Sequence, residues 1–121
     1  MKSPRALLLL GVWAVAACGT AADDNAPSDA NLQLIKIAAR RWTFAPDTIH
    51  LQQGVPVIFE ITASDVHHGF VAPDLGAHAD LFPGIPERVR INPSKTGTFY
   101  FHCDYYCGMG HEGMEGQVVV E

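Results

Sequence analysis

Four side chains near the C-terminus have the types and spacing of metal ligands. They lie in the stretch CDYYCGMGHEGM, as Cys103, Cys107, His111 and Met114, with the pattern Cys-x3-Cys-x3-His-x2-Met. Thiolate and thioether favour copper, and imidazole suits it as well. Gly108, Gly110 and Gly113 fall between the ligands. Glycine lets a backbone fold tightly round an ion, because it tolerates positive φ. Two β-rich runs flank the stretch, Thr98-Phe99-Tyr100-Phe101 and Gln117-Val118-Val119-Val120. The stretch is therefore predicted to be a loop between two strands, whose rigid flanks position its ligands.

Several chemistries use parts of this set. Two cysteines four apart in an exported protein are able to form a disulfide. Zinc accepts a Cys2His2 set, but it gains little from the Met114 thioether. A blue-copper site uses one Cys, with two His and a weak axial Met. The loop has one Cys more than that. Two thiolates bridging two copper ions use the whole set, and that is the preferred reading.

The loop resembles the binuclear copper (CuA) loop of cytochrome c oxidase subunit II and of the C-terminal domain of nitrous oxide reductase. That family pairs it with an earlier Asp-Val-x-His element, matched here by Asp65-Val66-His67-His68. The segments Ala72-Pro73-Asp74-Leu75-Gly76 and Asp80-Leu81-Phe82-Pro83-Gly84 resemble those that follow the first histidine in subunit II. Cys107-Gly108-Met109-Gly110-His111 is most similar to the short ba-type subunits. The resemblance runs from about Leu34 to Glu121 and implies a cupredoxin fold.

The resemblance also implies a ligand set. Cys103 and Cys107 bridge two coppers, His68 and His111 each bind one, Met114 is a weak axial ligand, and the backbone carbonyl of Tyr105 is another. Tyr105 stands where many oxidase subunits carry Glu, and tyrosine cannot copy a carboxylate contact. Adjacent residues of an extended chain point to opposite faces. One of His67 and His68 therefore reaches the metal, and the resemblance assigns that place to His68. By the same alternation His102 faces away from Cys103.

Such a site offers no open position for a substrate, unlike catalytic metal sites, and no acid–base pair lies near the loop. The expected function is one-electron transfer, with no catalysis by this chain alone. It is either the subunit II-like domain through which electrons enter a haem–copper oxidase or a free-standing lipoprotein relay. The alternative is an extracytoplasmic copper delivery or storage protein. The expected partners are a cytochrome c or similar redox protein and, in an oxidase, subunit I. Asp65, Asp74, Asp80, Glu112 and Glu115 are placed to steer a basic donor.

The elements that must position these residues are strands. Leu32–Ala39, Thr48–Gln52, Val55–Thr62, Arg88–Ile91, Thr98–His102 and Gln117–Glu121 are predicted strands. Val57, Phe59 and Ile61 share a face of the strongest of them, and Pro56 near its start suits an edge. Trp42 and Phe44 read as core aromatics. Ala72–Pro86, with three prolines and two glycines, reads as a long irregular connection, with His78 exposed within it. His50 points to solvent. Short strands separated by turns make the chain all-β, a Greek-key sandwich or barrel.

The 121 residues suffice for one domain, spanning 32–121. Lys2 and Arg5 precede the apolar run Ala6–Ala17, a secretory leader pattern over residues 1–17. At 12 residues the run is too short to span a bilayer, which needs about 20. Val15-Ala16-Ala17-Cys18 resembles the bacterial lipoprotein box, which implies a lipidated Cys18 and a membrane-anchored domain in the periplasm or on the cell surface. Residues 18–31 read as a flexible tether, rich in Ala and Asp with one Pro and one Ser, and with too little apolar surface to pack. Cleavage after Ala17 takes away two positive charges and moves the formal charge from −5 to −7. That balance disfavours nucleic acid as a partner.

Overall fold

Residues 31–121 are described by a computed structural model. The leader, Cys18 and nearly all of the tether lie outside the described residues. Nine strands follow in order: β1 (Gln33–Arg40), β2 (Thr43–Ala45), β3 (Thr48–Leu51), β4 (Val57–Ala63), β5 (His68–Ala72), β6 (Ala77–Leu81), β7 (Glu87–Ile91), β8 (Gly97–His102) and β9 (Glu115–Val120). Two short 3-10 turns, Pro73–Leu75 and His111–Gly113, lie between strands. No helix there is long and apolar enough to cross a membrane.

The strands form two sheets, ordered β2-β1-β4-β7 and β3-β9-β8-β5-β6. The chain passes repeatedly from one sheet to the other, and the pairings β1–β4 and β3–β9 are parallel while their neighbours are antiparallel. This is the all-β sandwich that the sequence predicts, a cupredoxin fold.

Alternation sets the inner faces. On β4, Val57, Phe59, Ile61 and Ala63 are buried, and Ile58 is buried as well. That strand lies inside its sheet rather than at an edge. Pro56 is tolerated because it precedes the first paired residue, so no ladder hydrogen bond is lost. The stretch predicted as irregular contains β6. Ala77, Ala79 and Leu81 face in while His78 and Asp80 face out. The prolines and glycines that suggested a loop sit in the turns on either side of this strand.

The core between the sheets is aromatic. Phe44 meets Phe70 and Phe101 edge-on at 5.9 and 5.3 Å between ring centroids, and Phe59 meets Phe70 at 6.2 Å. Burial of each Phe stabilises the fold by about 1.5–3 kcal/mol.

Candidate metal centre

The candidate ligands end the same inward columns that build this core. Side chains two apart on a strand share a face. On β5 the inward column reads His68, Phe70, Ala72, all fully buried. Continued past the end of β8, the column Phe99, Phe101 reaches Cys103. Met114 stands just before β9, whose inward residues include Val118 and Val120. The Cys103 N–H donates to the Met114 carbonyl at 3.0 Å, which extends the β8–β9 ladder by one pair. Metal chemistry thus sits at one end of a packed column and inherits its rigidity.

All six predicted donors converge. The two thiol sulfurs are 3.6 Å apart. Both cysteines are free, at a separation well beyond a sulfur–sulfur bond of about 2.05 Å. His68 Nδ1 lies 3.9 Å from Cys103 Sγ, and His111 Nδ1 lies 3.5 Å from Cys107 Sγ. Met114 Sδ is 3.8 Å from Cys107 Sγ, and the Tyr105 carbonyl is 3.1 Å from Cys103 Sγ. The donor atoms of His68, Cys103 and Cys107 all fall within 4.8 Å of one another. Two thiols, two imidazole nitrogens, a thioether and a carbonyl around one small volume suit a soft metal such as copper.

Electrostatics prepare the donors. His68 Nε2 is 2.8 Å from Asp65 Oδ1, which leaves Nδ1 turned to the sulfurs. A carboxylate behind a metal-binding imidazole fixes its tautomer and its orientation. Asp65 also accepts the backbone N–H groups of Arg41 and Val66, both at 2.7 Å. Partial burial pushes its carboxyl up, but the bonds from Arg41, His68 and Val66 outweigh that and hold it down at about 2. Burial, reinforced by the neighbouring Cys103, pushes the Cys107 thiol up to about 11. Without metal that thiol is protonated at neutral pH.

Trp42 is a correction to the sequence reading. It is not a core residue but 39% exposed, lying over the metal loop. Its Nε1–H donates to the Cys107 carbonyl at 3.3 Å. A side chain at Gly110 would collide with the Trp42 ring, so glycine is needed there for space. Gly108 has φ +126°, and it is the one glycine between the ligands that uses the left-handed region.

Three further supports were not legible as such. Asp104 reaches His78 on β6 at 2.6 Å, tying the loop to the sheet edge. Gly69 leaves the space that the Asp104 carboxylate fills. Asp65 was read from the sequence as the first residue of the Asp-Val-x-His element and as an acid able to steer a donor, not as the partner of the His68 ring; its place three residues before His68 was the available signal. The alternation argument holds for the neighbours: His67 turns away from the sulfurs and His102 is exposed. His50 and His78 face solvent.

Known proteins share this architecture. A family model described as a cupredoxin-like domain matches residues 6–120. Cytochrome c oxidase subunit 2 of Thermus thermophilus is 32% identical over 91 residues, covering 75% of this chain and 67% of that one. The chain spans about half the length of a second Thermus thermophilus subunit 2 (54%) and smaller shares of other curated relatives, down to 22% for that of Alkalihalophilus pseudofirmus. A haem–copper terminal oxidase dimer contains a chain with a TM-score of 0.67 and 28% identity, over 74% of this chain and 65% of that one. The periplasmic domain of cytochrome oxidase subunit II of Bradyrhizobium japonicum superposes with a TM-score of 0.69 at 22% identity, over 74% of this chain and 83% of that one, a likeness of fold. With its sheets, its converging donors and these relatives, the chain belongs to the cupredoxin-like family, on the branch of cytochrome c oxidase subunit 2.

Proposed function

We propose that this protein carries single electrons through a binuclear copper (CuA) centre held by His68, Cys103, Cys107, His111, Met114 and the Tyr105 carbonyl. The observation that carries the reading is the pair of free thiols 3.6 Å apart, each with its own imidazole at 3.9 or 3.5 Å. Copper supplies the one-electron couple. The chain supplies a cage that resists rearrangement: His68, Cys103, Cys107 and Met114 are buried on a rigid sheet end. Such burial favours a relay over copper delivery, because a delivery site must open to its acceptor.

The surroundings support a redox partner. Trp42, Phe82, Tyr105, Tyr106 and Met109 form an exposed apolar rim on or beside the metal loop. Glu112 and Glu115 lie beside it, while Asp65 is occupied by His68 and the backbone. A basic cytochrome c would be steered by the acids and seated by the rim. The acceptor is oxidase subunit I or a second soluble carrier. The domain works outside the cytoplasm, anchored through lipidated Cys18 and the 18–31 tether.

Metal analysis of the purified, copper-loaded protein tests the centre. Two coppers per chain, a purple colour and a mixed-valence spin-resonance spectrum are expected. One zinc, or one copper with a blue-site spectrum, would refute it. Cys107→Ser should abolish the binuclear spectrum. For the anchor, Cys18→Ser should release the protein from membranes; a variant still wholly membrane-bound without partner subunits contradicts it.

A further inference from the structure

His67 departs from the roles given to its neighbours, since it points away from the sulfurs and yet is not free at the surface. Its ring is stacked on both faces. Phe82 lies at 4.3 Å between ring centroids with an interplanar angle of 27°, and Tyr105 at 3.7 Å and 21°. Its Nε2 is buried and meets no hydrogen-bond partner among the described residues. The ring is therefore held through its faces rather than through its nitrogens.

We propose that His67 is a positioning residue of the metal centre: its ring, clamped between Phe82 and Tyr105, fixes the Tyr105 backbone carbonyl and so sets the reduction potential of the site. This rests on the copper reading above. The Tyr105 carbonyl is 3.1 Å from Cys103 Sγ. Residues 103–107 lie outside the strands, so no ladder hydrogen bond holds residue 105 in place. Asp104 is pinned by His78, and the Tyr105 ring is pinned by His67. These two adjacent anchors hold the backbone that leads into the Tyr105 Cα, and the Tyr105 carbonyl, which belongs to the next peptide, projects from that held Cα toward Cys103. His67 is also the residue before His68, so one short segment sets an imidazole donor and, through the stack, the carbonyl donor.

A weak axial ligand tunes potential more than it holds metal. A hard carbonyl oxygen favours the oxidised centre, so a loosened carbonyl raises the potential. The carbonyl fixes the sign of the effect, and the stacked rings fix its ceiling. At a fixed ambient potential the reduced-to-oxidised ratio should rise by no more than about tenfold, the equilibrium factor equivalent to the full worth of one aromatic pair.

The test uses the full chain, wild type and variants, with copper counted per chain, spin-resonance spectra and mediated redox titrations. His67→Ala and His67→Gln should keep the wild-type copper content and raise the potential. His67→Phe should restore it, because it keeps the stack and removes the unpartnered nitrogen. Tyr105→Ala, which retains the backbone carbonyl, should reproduce the shift, and adding His67→Ala to it should change nothing further. In the copper-free protein, NMR ring-current shifts at Tyr105 should collapse in His67→Ala and persist in His67→Phe. A wild-type potential in both His67→Ala and Tyr105→Ala, rescue by Gln rather than Phe, or additive single effects would overturn the proposal while leaving the copper reading intact. Wild-type protein that takes no copper would overturn both.

Discussion

Asp65→Asn is the substitution whose effect follows most directly from the geometry. The carboxylate accepts three bonds, from the His68 ring at 2.8 Å and from the Arg41 and Val66 N–H groups at 2.7 Å each. These bonds prevail over partial burial and lower its carboxyl from 3.8 to about 2. Over that interval the linkage is worth about 2.5 kcal/mol. Because the side chain is 32% exposed, solvent screening reduces this to about 1–2 kcal/mol. A group with a depressed folded value stabilises fully above its unfolded value, and that contribution is lost as pH falls through the folded one. Copper-free wild type should therefore lose this increment between pH 5 and 2, with the loss centred between 3.8 and about 2. The amide of Asn presents N–H where one of three donors needs an acceptor. The variant should be about 1–2 kcal/mol less stable at pH 7, a fall in Tm on the order of 5–15 °C for a domain of this size. Urea unfolding of both proteins, at pH 7 and at steps down to pH 2, measures it. The two stabilities should converge as the pH falls. A difference that stays constant across that range would show that the carboxylate charge contributes nothing, and the reasoning would fail.

Two further outcomes follow. Copper uptake must displace the proton of the Cys107 thiol, which burial holds at about 11. Apparent copper affinity, measured by chelator competition, should fall by about tenfold per pH unit on acidification for that thiol alone; a pH-independent affinity contradicts it. Gly110→Ala should destabilise the loaded loop and speed copper loss to a chelator, because the new side chain meets the Trp42 ring. Combining it with Trp42→Ala should relieve most of that added loss, and strictly additive effects would show that the two do not touch.

Legibility differed from element to element. The strands with strong apolar alternation, β4, β8 and β9, were readable because a half-buried strand writes its period into the sequence. β6 was not, because alanines are weak markers of an inner face and the flanking Pro73, Pro83 and Pro86 are strong markers of a loop. The ligands were readable because soft donors are few and their spacing is local: four of the six side-chain or backbone donors lie within Cys103–His111, and Met114 follows three residues later.

What the sequence determined by itself was the donor chemistry and the strand period, both properties of residue type and short spacing. Tertiary structure alone decided how the far segments close on the loop. It set Trp42 over Gly108 and Gly110, although a large aromatic reads as core. It turned His68 rather than His67 toward Cys103, where alternation required only that one of them face in. It brought Asp65 behind His68, Asp104 to His78, and Phe82 and Tyr105 onto the two faces of His67. Apart from the local contact of Asp65 with His68, each of these depends on the registers in which β1, β5, β6 and β8 pair and on how the two sheets pack. Those registers are fixed by the summed burial of the whole core, which no local pattern of residues records.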